Sequence, residues 1–142
     1  MFLAAIDDLF RQRAETWQEL WTDPADSRSP ATRLIDYEAK HMGEFGFYRI
    51  VFTALGETDD PDVRAALVRM YRQFHRLLQK RIEAYRSQET AESLLPADTA
   101  AWALIGLATV SNIGRELDLL KPRQRERMFA AVAEHLAMGA KR

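Results

Sequence analysis

The stretch from residue 60 to residue 88 places the strongest constraint on what this chain can fold into. Its apolar side chains recur three and four residues apart over about seven turns, which is the spacing of one face of an α-helix. They are Val63, Leu67, Met70, Tyr71, Phe74, Leu77, Leu78, Ile82 and Tyr85. We therefore predict one long helix here.

Prolines and glycines divide the remaining sequence into five further predicted helices. Their ranges are 2–21, 30–42, 46–56, 96–120 and 122–141. Ser29 and Pro30 suit the N-cap and first position of a helix, whereas Gly43 and Gly46 interrupt the segment between the second and third. The sequence has no strand-like alternation, hairpin turn or internal repeat. It therefore predicts one all-α domain over residues 1–142, a bundle of roughly six helices.

Composition and charge exclude several classes of protein. The 20 basic and 21 acidic residues leave a net charge of -1, so there is no global field for nucleic acid or anionic lipid. The absence of cysteine excludes disulfides and thiolate metal sites. No apolar run is long enough to span a membrane, and Asp7 and Asp8 interrupt the N-terminal run that could resemble a signal peptide. We expect a cytoplasmic protein without membrane contact.

The fifth predicted helix is apolar or small on every side and carries almost no charge after Asp98. A helix that is apolar all round is buried all round, which a domain of this size achieves with difficulty by itself. A second copy would bury it, so we predict a homodimer through the last two helices of each chain. The predicted interface is Ala103, Leu104, Leu107, Val110, Ser111, Gly114, Phe129, Val132 and Leu136. A central core helix of a monomer is the alternative.

Aromatic side chains are concentrated on helices that are expected to face one another. They occur with scattered polar groups, a combination typical of a mainly apolar cavity with a few orienting hydrogen bonds. Core packing is the alternative for any one of them, and His75 alone would be a hydrogen-bonded core histidine. The predicted ligand-binding residues are Trp17, Trp21, Tyr37, His41, Phe45, Tyr48, Phe52, Tyr71, Phe74, His75, Trp102 and Asn112.

Little in the sequence points to catalysis. There is no phosphate-binding loop, no GxGxxG and no GxSxG. Glu38 and His41 form a Glu-x-x-His pair, the spacing that di-iron bundles use, but a second pair is absent. We therefore predict no enzymatic activity, cofactor or metal, and keep a di-metal helical-bundle enzyme as an alternative.

Two segments resemble a known family. FLAAIDDLFRQRAETWQELW, at residues 2–21, is similar to the start of the helix that joins the DNA-reading head to the regulatory body in the TetR family of bacterial transcriptional repressors. PADTAAWALIGLATVSNIGRELDLL, at residues 96–120, is similar to the Trp-, Ala- and Gly-rich helix of that family's dimer interface. The chain resembles the C-terminal regulatory domain of the TetR family over nearly its whole length.

The resemblance implies an effector-sensing and dimerising domain without the helix-turn-helix. Met1 would then be a start inside the connecting helix, and this chain alone would not bind operator DNA. A small apolar or amphipathic effector would bind in the helical cavity and favour one arrangement of the first helix, with the break at Gly43 and Gly46 as the segment that changes. A plain helical dimerisation or scaffold protein without a ligand is the remaining alternative.

Overall fold

The computed structural model describes residues 2–89 and 95–138, and the regular elements in those ranges are all helical. The helices are α1 (Phe2–Thr22), α2 (Pro30–His41), α3 (Phe47–Gly56), α4 (Pro61–Glu89), α5 (Ala97–Glu116) and α6 (Pro122–Met138), with a short 3-10 helix (Glu44–Gly46) between α2 and α3. The predicted all-α class is confirmed. No helix in the described ranges is both long and apolar enough to cross a membrane.

One predicted helix end is wrong, because α5 ends at Glu116 and not at residue 120. Asp118 takes a left-handed conformation with φ of 52°, which an α-helix does not allow. The amide groups of Leu119 and Leu120 turn back to the carbonyl oxygen of Gly114, at 2.9 and 3.2 Å. The chain thus closes α5 with a turn before Pro122 begins α6. The predicted end of the sixth helix, residues 139–141, lies outside the described residues.

The C-terminal end of α1 is held by a single buried arginine of α2. The Arg33 guanidinium donates to the carbonyl oxygens of Leu20 and Trp21 and to those of Asp26 and Arg28 in the next loop, at distances of 2.6 to 2.9 Å. The last carbonyl groups of a helix have no partner within it, and a guanidinium carries five N–H donors. Arg33 therefore fixes the angle at which the chain passes from α1 to α2.

Arg86 of α4 plays the same role for α6. It donates to the carbonyl oxygens of Leu136 and Ala137, at 3.0 and 3.1 Å, and to that of Leu95 before α5, at 2.7 Å. Burial lowers the pKa of Arg86. The long helix thereby connects the end of α6 to the approach to α5.

The break between α2 and α3 is packed directly against α5. Gly43 has φ of 80°, and a Cβ atom at this position would lie 2.1 Å from Oδ1 of the buried Asn112. Gly46 is also left-handed, at 71°, but a Cβ there would meet nothing within 4 Å. Arg115 donates to the carbonyl oxygen of Met42 at 2.9 Å. Glycine is thus required at position 43 for both conformation and space.

The buried side chains form two clusters, and α4 runs through both. The first cluster joins α1, α3 and α4 and includes Ile6, Val51 and Met70. The second joins α2, α5 and α6 to the C-terminal half of α4 and includes Ile82 and Phe129. The long helix is therefore the common frame of the two clusters, as its apolar stripe predicts.

Helix α5 is nearly apolar, and the three uncharged polar side chains in its second half bond to its own backbone. Thr109, Ser111 and Asn112 each donate to the carbonyl oxygen four residues earlier, at 2.8 to 2.9 Å. Such bonds satisfy a hydroxyl or amide group without a partner from another element.

One face of α5 stays exposed in the single chain. Trp102, Gly106, Val110, Ile113 and Leu117 follow one another at helical spacing, and each is exposed; Val110 is 55% exposed. The opposite face packs closely on α6, where Ala100, Ala101 and Ala133 are fully buried. The chain by itself therefore does not bury α5 on every side.

The residues predicted for a dimer interface fall into three groups by burial. Leu104, Ser111, Gly114 and Phe129 are buried within the chain, whereas Val110 and Val132 are exposed. Ala103, Leu107 and Leu136 are partly buried. Dimerisation itself stays a prediction.

Candidate ligand-binding cavity

A cavity of about 110 Å³ lies between the helices, and all six helices contribute to its walls. An apolar cavity of about 150 Å³ in another protein holds one benzene molecule, so the space suits a group of about one ring. Most of its lining is aliphatic or aromatic: Trp17, Trp21, Ala31, Leu34, Ile35, Met42, Phe47, Tyr48, Met70, Tyr71, Phe74, Leu78, Ile82, Tyr85, Leu104, Ile105, Ala108, Phe129, Ala133 and Ala137. The polar and charged members are Arg13, Glu38, Arg81 and Thr109.

Phe74 of α4 is the centre of an aromatic group at one wall of the cavity. Its ring makes edge contacts with those of Phe10, Trp17 and Phe47, with centroids 4.9, 5.6 and 5.9 Å apart. Edge-to-face geometry places the positive ring edge against the negative ring face, which stabilises the arrangement. Helices α1, α3 and α4 thus meet at one side chain.

The buried carboxyl group of Glu38 is the most unusual group of the cavity. Only 7% of this residue is exposed, and Nε1 of Trp17 donates to its Oε1 at 2.7 Å. Nε of Arg13 lies 3.6 Å from the same oxygen. Burial raises the pKa of Glu38, while the Arg13 charge, the Trp17 bond and His41 act in the opposite direction. The fold therefore makes the Glu38 carboxyl group harder to ionise than a carboxyl group in water.

Tyr48 lies in the same environment. Burial raises the pKa of Tyr48, and the nearby carboxyl group of Glu38 adds to the increase. Burial also raises the pKa of Tyr71, another lining residue. Both phenols therefore keep their protons at neutral pH and can donate a hydrogen bond to a bound molecule.

Arg81 is the second cation at the cavity, and it lies nearer to solvent than Glu38. The residue is half-buried, its guanidinium carbon lies 4.6 Å from the centroid of the Trp21 ring, and Nη2 donates to Oε1 of Gln18 at 2.5 Å. Its Nε atom is buried and has no hydrogen-bond partner in the described part of the chain. Burial lowers the pKa of Arg81.

Five of the predicted ligand-binding residues lie at the cavity, and the others lie elsewhere or are not described. Those at the cavity are Trp17, Trp21, Tyr48, Tyr71 and Phe74. The side chain of Phe45 is outside the described residues. Asn112 lies one turn beyond the α5 lining and contacts Gly43.

The remaining predicted residues form ring contacts that the cavity does not include. His75 stacks on Trp102 with centroids 4.5 Å apart, and its Nε2 lies 2.9 Å from the carbonyl oxygen of Asp98. Tyr37 packs on His41 at 4.6 Å. Phe52 packs on the cavity residue Tyr48 from outside, at 5.8 Å.

Sequence reasoning missed the charged groups of the cavity. The sequence patterns place Glu38 only in a pair of metal-ligand type and assign no role to Arg13 or Arg81. A signal does exist for Arg81, which lies within the apolar stripe of α4. It follows Phe74 by seven residues and Leu78 by three, so the three side chains share one helical face. An arginine inside an apolar stripe predicts a charge at a buried face.

The side chains of Glu38 and His41 have different hydrogen-bond partners in the fold. Glu38 bonds to Trp17, whereas Nδ1 of His41 lies 3.1 Å from Oε2 of Glu44. In the described ranges, no group of three or more His, Cys, Asp or Glu side chains is placed to hold a metal ion.

Comparisons of the chain with protein-family models, with curated proteins and with solved structures found no match. The functional proposal therefore depends on the cavity and on the exposed face of α5.

Proposed function

We propose that this chain is the effector-sensing and dimerisation domain of a TetR-like transcriptional regulator. The observation that carries the proposal is the cavity, which is enclosed by helices, mainly apolar, and supplied with a few polar groups. This is the usual composition of a site for a small molecule. The effector would be small and apolar or amphipathic.

The position of the cavity supports a sensing role. Trp17 and Trp21 of α1 form part of its wall, and Trp17 bonds to Glu38 of α2. A bound molecule that displaces Trp17 would therefore act on the contact between α1 and α2. In a TetR-like regulator, α1 would be the helix that leads to the DNA-reading head. The effector must bind two arrangements of α1 with different affinity, since otherwise no switching follows.

The exposed face of α5 supports the second part of the proposal. Trp102, Val110 and Ile113 are between 40% and 55% exposed on one helical face, and Val132 of α6 is 41% exposed. Apolar side chains gathered on one face typically mark an interaction site. A second copy related by a two-fold axis would cover this face with the same face of its own α5.

A small-molecule screen that is read by thermal unfolding tests the sensing role. Compounds of one or two rings that raise Tm would be tested again on Ala108→Leu, which adds bulk at the cavity wall. Ala131→Leu, at an exposed position on α6, is the matched control. We expect the increase in Tm to be lost only in Ala108→Leu. A screen without any stabilising compound would favour the plain dimerisation or scaffold protein.

A further inference from the structure

The charges at the cavity do not cancel. Three charged side chains line it, and two of them, Arg13 and Glu38, lie 3.6 Å apart with opposite sign. The third, Arg81, donates to the neutral amide oxygen of Gln18 and forms no ion pair with a carboxylate of the described residues. The lining therefore has an excess of one positive charge when Glu38 is ionised, and a larger excess when it is protonated.

The Arg81 guanidinium also has an unused donor. Its Nε–H group is buried without a partner in the described ranges. A buried N–H group without an acceptor destabilises the fold, and most such groups in native proteins are paired. Because that atom is buried, a bound molecule would instead meet the outer N–H groups of the guanidinium, where an acceptor oxygen would gain a charge-assisted hydrogen bond.

The two charged groups are arranged so that a bound molecule would have a defined orientation. Glu38 is bonded to Trp17, and Arg81 stacks on Trp21 one helical turn further along α1. Glu38 is buried, whereas Arg81 and Trp21 are half-buried. An anionic group would thus bind at the more exposed end, and an apolar body would extend past Trp17 towards Phe74.

We propose that the cavity binds a small organic acid whose carboxylate accepts hydrogen bonds from Arg81 and whose apolar body, of about one ring, packs beside Trp17 and Phe74. The inference deepens the proposed sensing function and depends on it. The carboxyl group of Glu38 favours the same orientation when it is ionised, because it then repels a second carboxylate and leaves the Arg81 end to the anion.

Three probes that share one ring and differ in their polar group test this inference: benzoate, benzyl alcohol and benzylammonium. Each would be titrated into the full chain at neutral pH, with binding followed by the NMR shifts of the indole N–H groups of Trp17 and Trp21. We expect benzoate to bind at least about tenfold more tightly than benzyl alcohol, because a hydrogen bond to a charged group contributes about that factor or more. Benzylammonium should bind more weakly than either.

Three variants of α4 test whether the carboxylate of the probe binds at Arg81. Arg81→Met keeps a long side chain but removes the charge and the donors, and we expect it to abolish the preference for benzoate over benzyl alcohol. Arg72→Met is the matched control at an exposed position on the same helix, and it should keep that preference. Arg81→Lys keeps the charge without the guanidinium fork, and should restore the preference in part.

The possible outcomes separate the inference from the proposed function. If benzylammonium or benzyl alcohol binds best, the cavity is a ligand site but the organic-acid inference is overturned. Loss of benzylammonium binding in Glu38→Gln would then place the polar group of the ligand beside Glu38. If none of the three probes shifts either indole signal, the organic-acid inference is overturned, and the sensing function then stands or falls with the thermal-unfolding screen. A preference for benzoate that survives Arg81→Met would also overturn the inference.

Discussion

Glu38 is the residue whose chemistry depends most on the fold. Its ordinary pKa is 4.5, and burial raises the pKa above that value in the folded protein. The folded state then holds a proton that the unfolded state has released. Stability from this residue is therefore fully present below pH 4.5 and is lost as the pH rises through the raised pKa.

The first prediction is that Glu38→Gln removes this loss of stability. The free energy of unfolding of Glu38→Gln should increase relative to that of the natural protein as the pH rises above 4.5, so that the variant becomes the relatively more stable of the two. Urea denaturation at several pH values measures the difference. Asp26→Asn is the opposite control, because hydrogen bonds from Arg28 lower the pKa of Asp26 to about 2. The effect of Asp26→Asn on the free energy of unfolding should change only as the pH falls below 3.8, the ordinary pKa of an aspartate. A pH-independent effect of Glu38→Gln would contradict the interpretation.

Trp17 provides a second prediction at this scale, since its indole N–H is the close donor to Glu38. Trp17→Phe should destabilise the fold by about 1–3 kcal/mol, because it removes a hydrogen bond from a buried carboxyl group. It should also raise the pKa of Glu38 further. Trp102→Phe, at a residue that is 48% exposed, is the control. Denaturation curves in which both variants lose the same free energy would show that the bond contributes nothing.

The break between α2 and α3 can be tested at the scale of elements. Gly43→Ala forces a left-handed alanine and places its Cβ against Asn112, whereas Gly46→Ala adds only the left-handed strain. We expect Gly43→Ala to cost about 1–3 kcal/mol more than Gly46→Ala, as overpacking usually does. Thermal or urea unfolding compares the two. Combination with Asn112→Ala should recover part of the difference, and equal losses in the two single variants would mean that the contact with α5 is unimportant.

The helices could be predicted because their signals are local. Pro30, Pro61, Pro96 and Pro122 lie at or next to helix starts, and the stripe of α4 is periodic over its whole length. The end of α5 could not be predicted, because it depends on a left-handed Asp118, a residue type that does not require that conformation. The local sequence pattern thus predicts the starts of the helices better than it predicts the end of α5.

The cavity could be predicted only in its aromatic part. Trp17, Phe74 and Tyr48 are recognisable because large aromatic side chains on facing helices have to meet. Glu38 could not be assigned to the cavity, because its partner Trp17 lies 21 residues away in sequence. Arg81 could be placed on the buried face of α4, but its partner Gln18, 63 residues away, could not be predicted. Which polar residue enters a cavity depends on how helices rotate against each other, and the sequence does not specify that rotation.

At the scale of the whole molecule, the exposed face of α5 predicts self-association. The sequence could not choose this face, because α5 is apolar on all sides; the structure buries Leu104 and Ser111 internally and leaves Trp102, Val110 and Ile113 outside. We expect sedimentation equilibrium at micromolar concentration to find a dimer. Val110→Glu should shift the protein to monomer without a large change in Tm, since the side chain is already 55% exposed in the single chain.

Leu55→Glu is the control for this prediction. Leu55 is 46% exposed and lies on α3, whereas the proposed interface is formed by α5 and α6. The variant should sediment as a dimer. A natural protein that sediments as a monomer, or a Leu55→Glu variant that dissociates as readily as Val110→Glu, would exclude a two-fold interface through α5.

The internal hydrogen bonds of α5 have a consequence for how this helix can evolve. Because the hydroxyl groups of Thr109 and Ser111 donate to carbonyl oxygens of their own helix, they require no acceptor from the helices that pack against them. Substitutions in those neighbouring helices can then accumulate without leaving a hydroxyl proton of α5 unpaired. The polar side chains at these two positions therefore place little constraint on how the sequences around α5 drift.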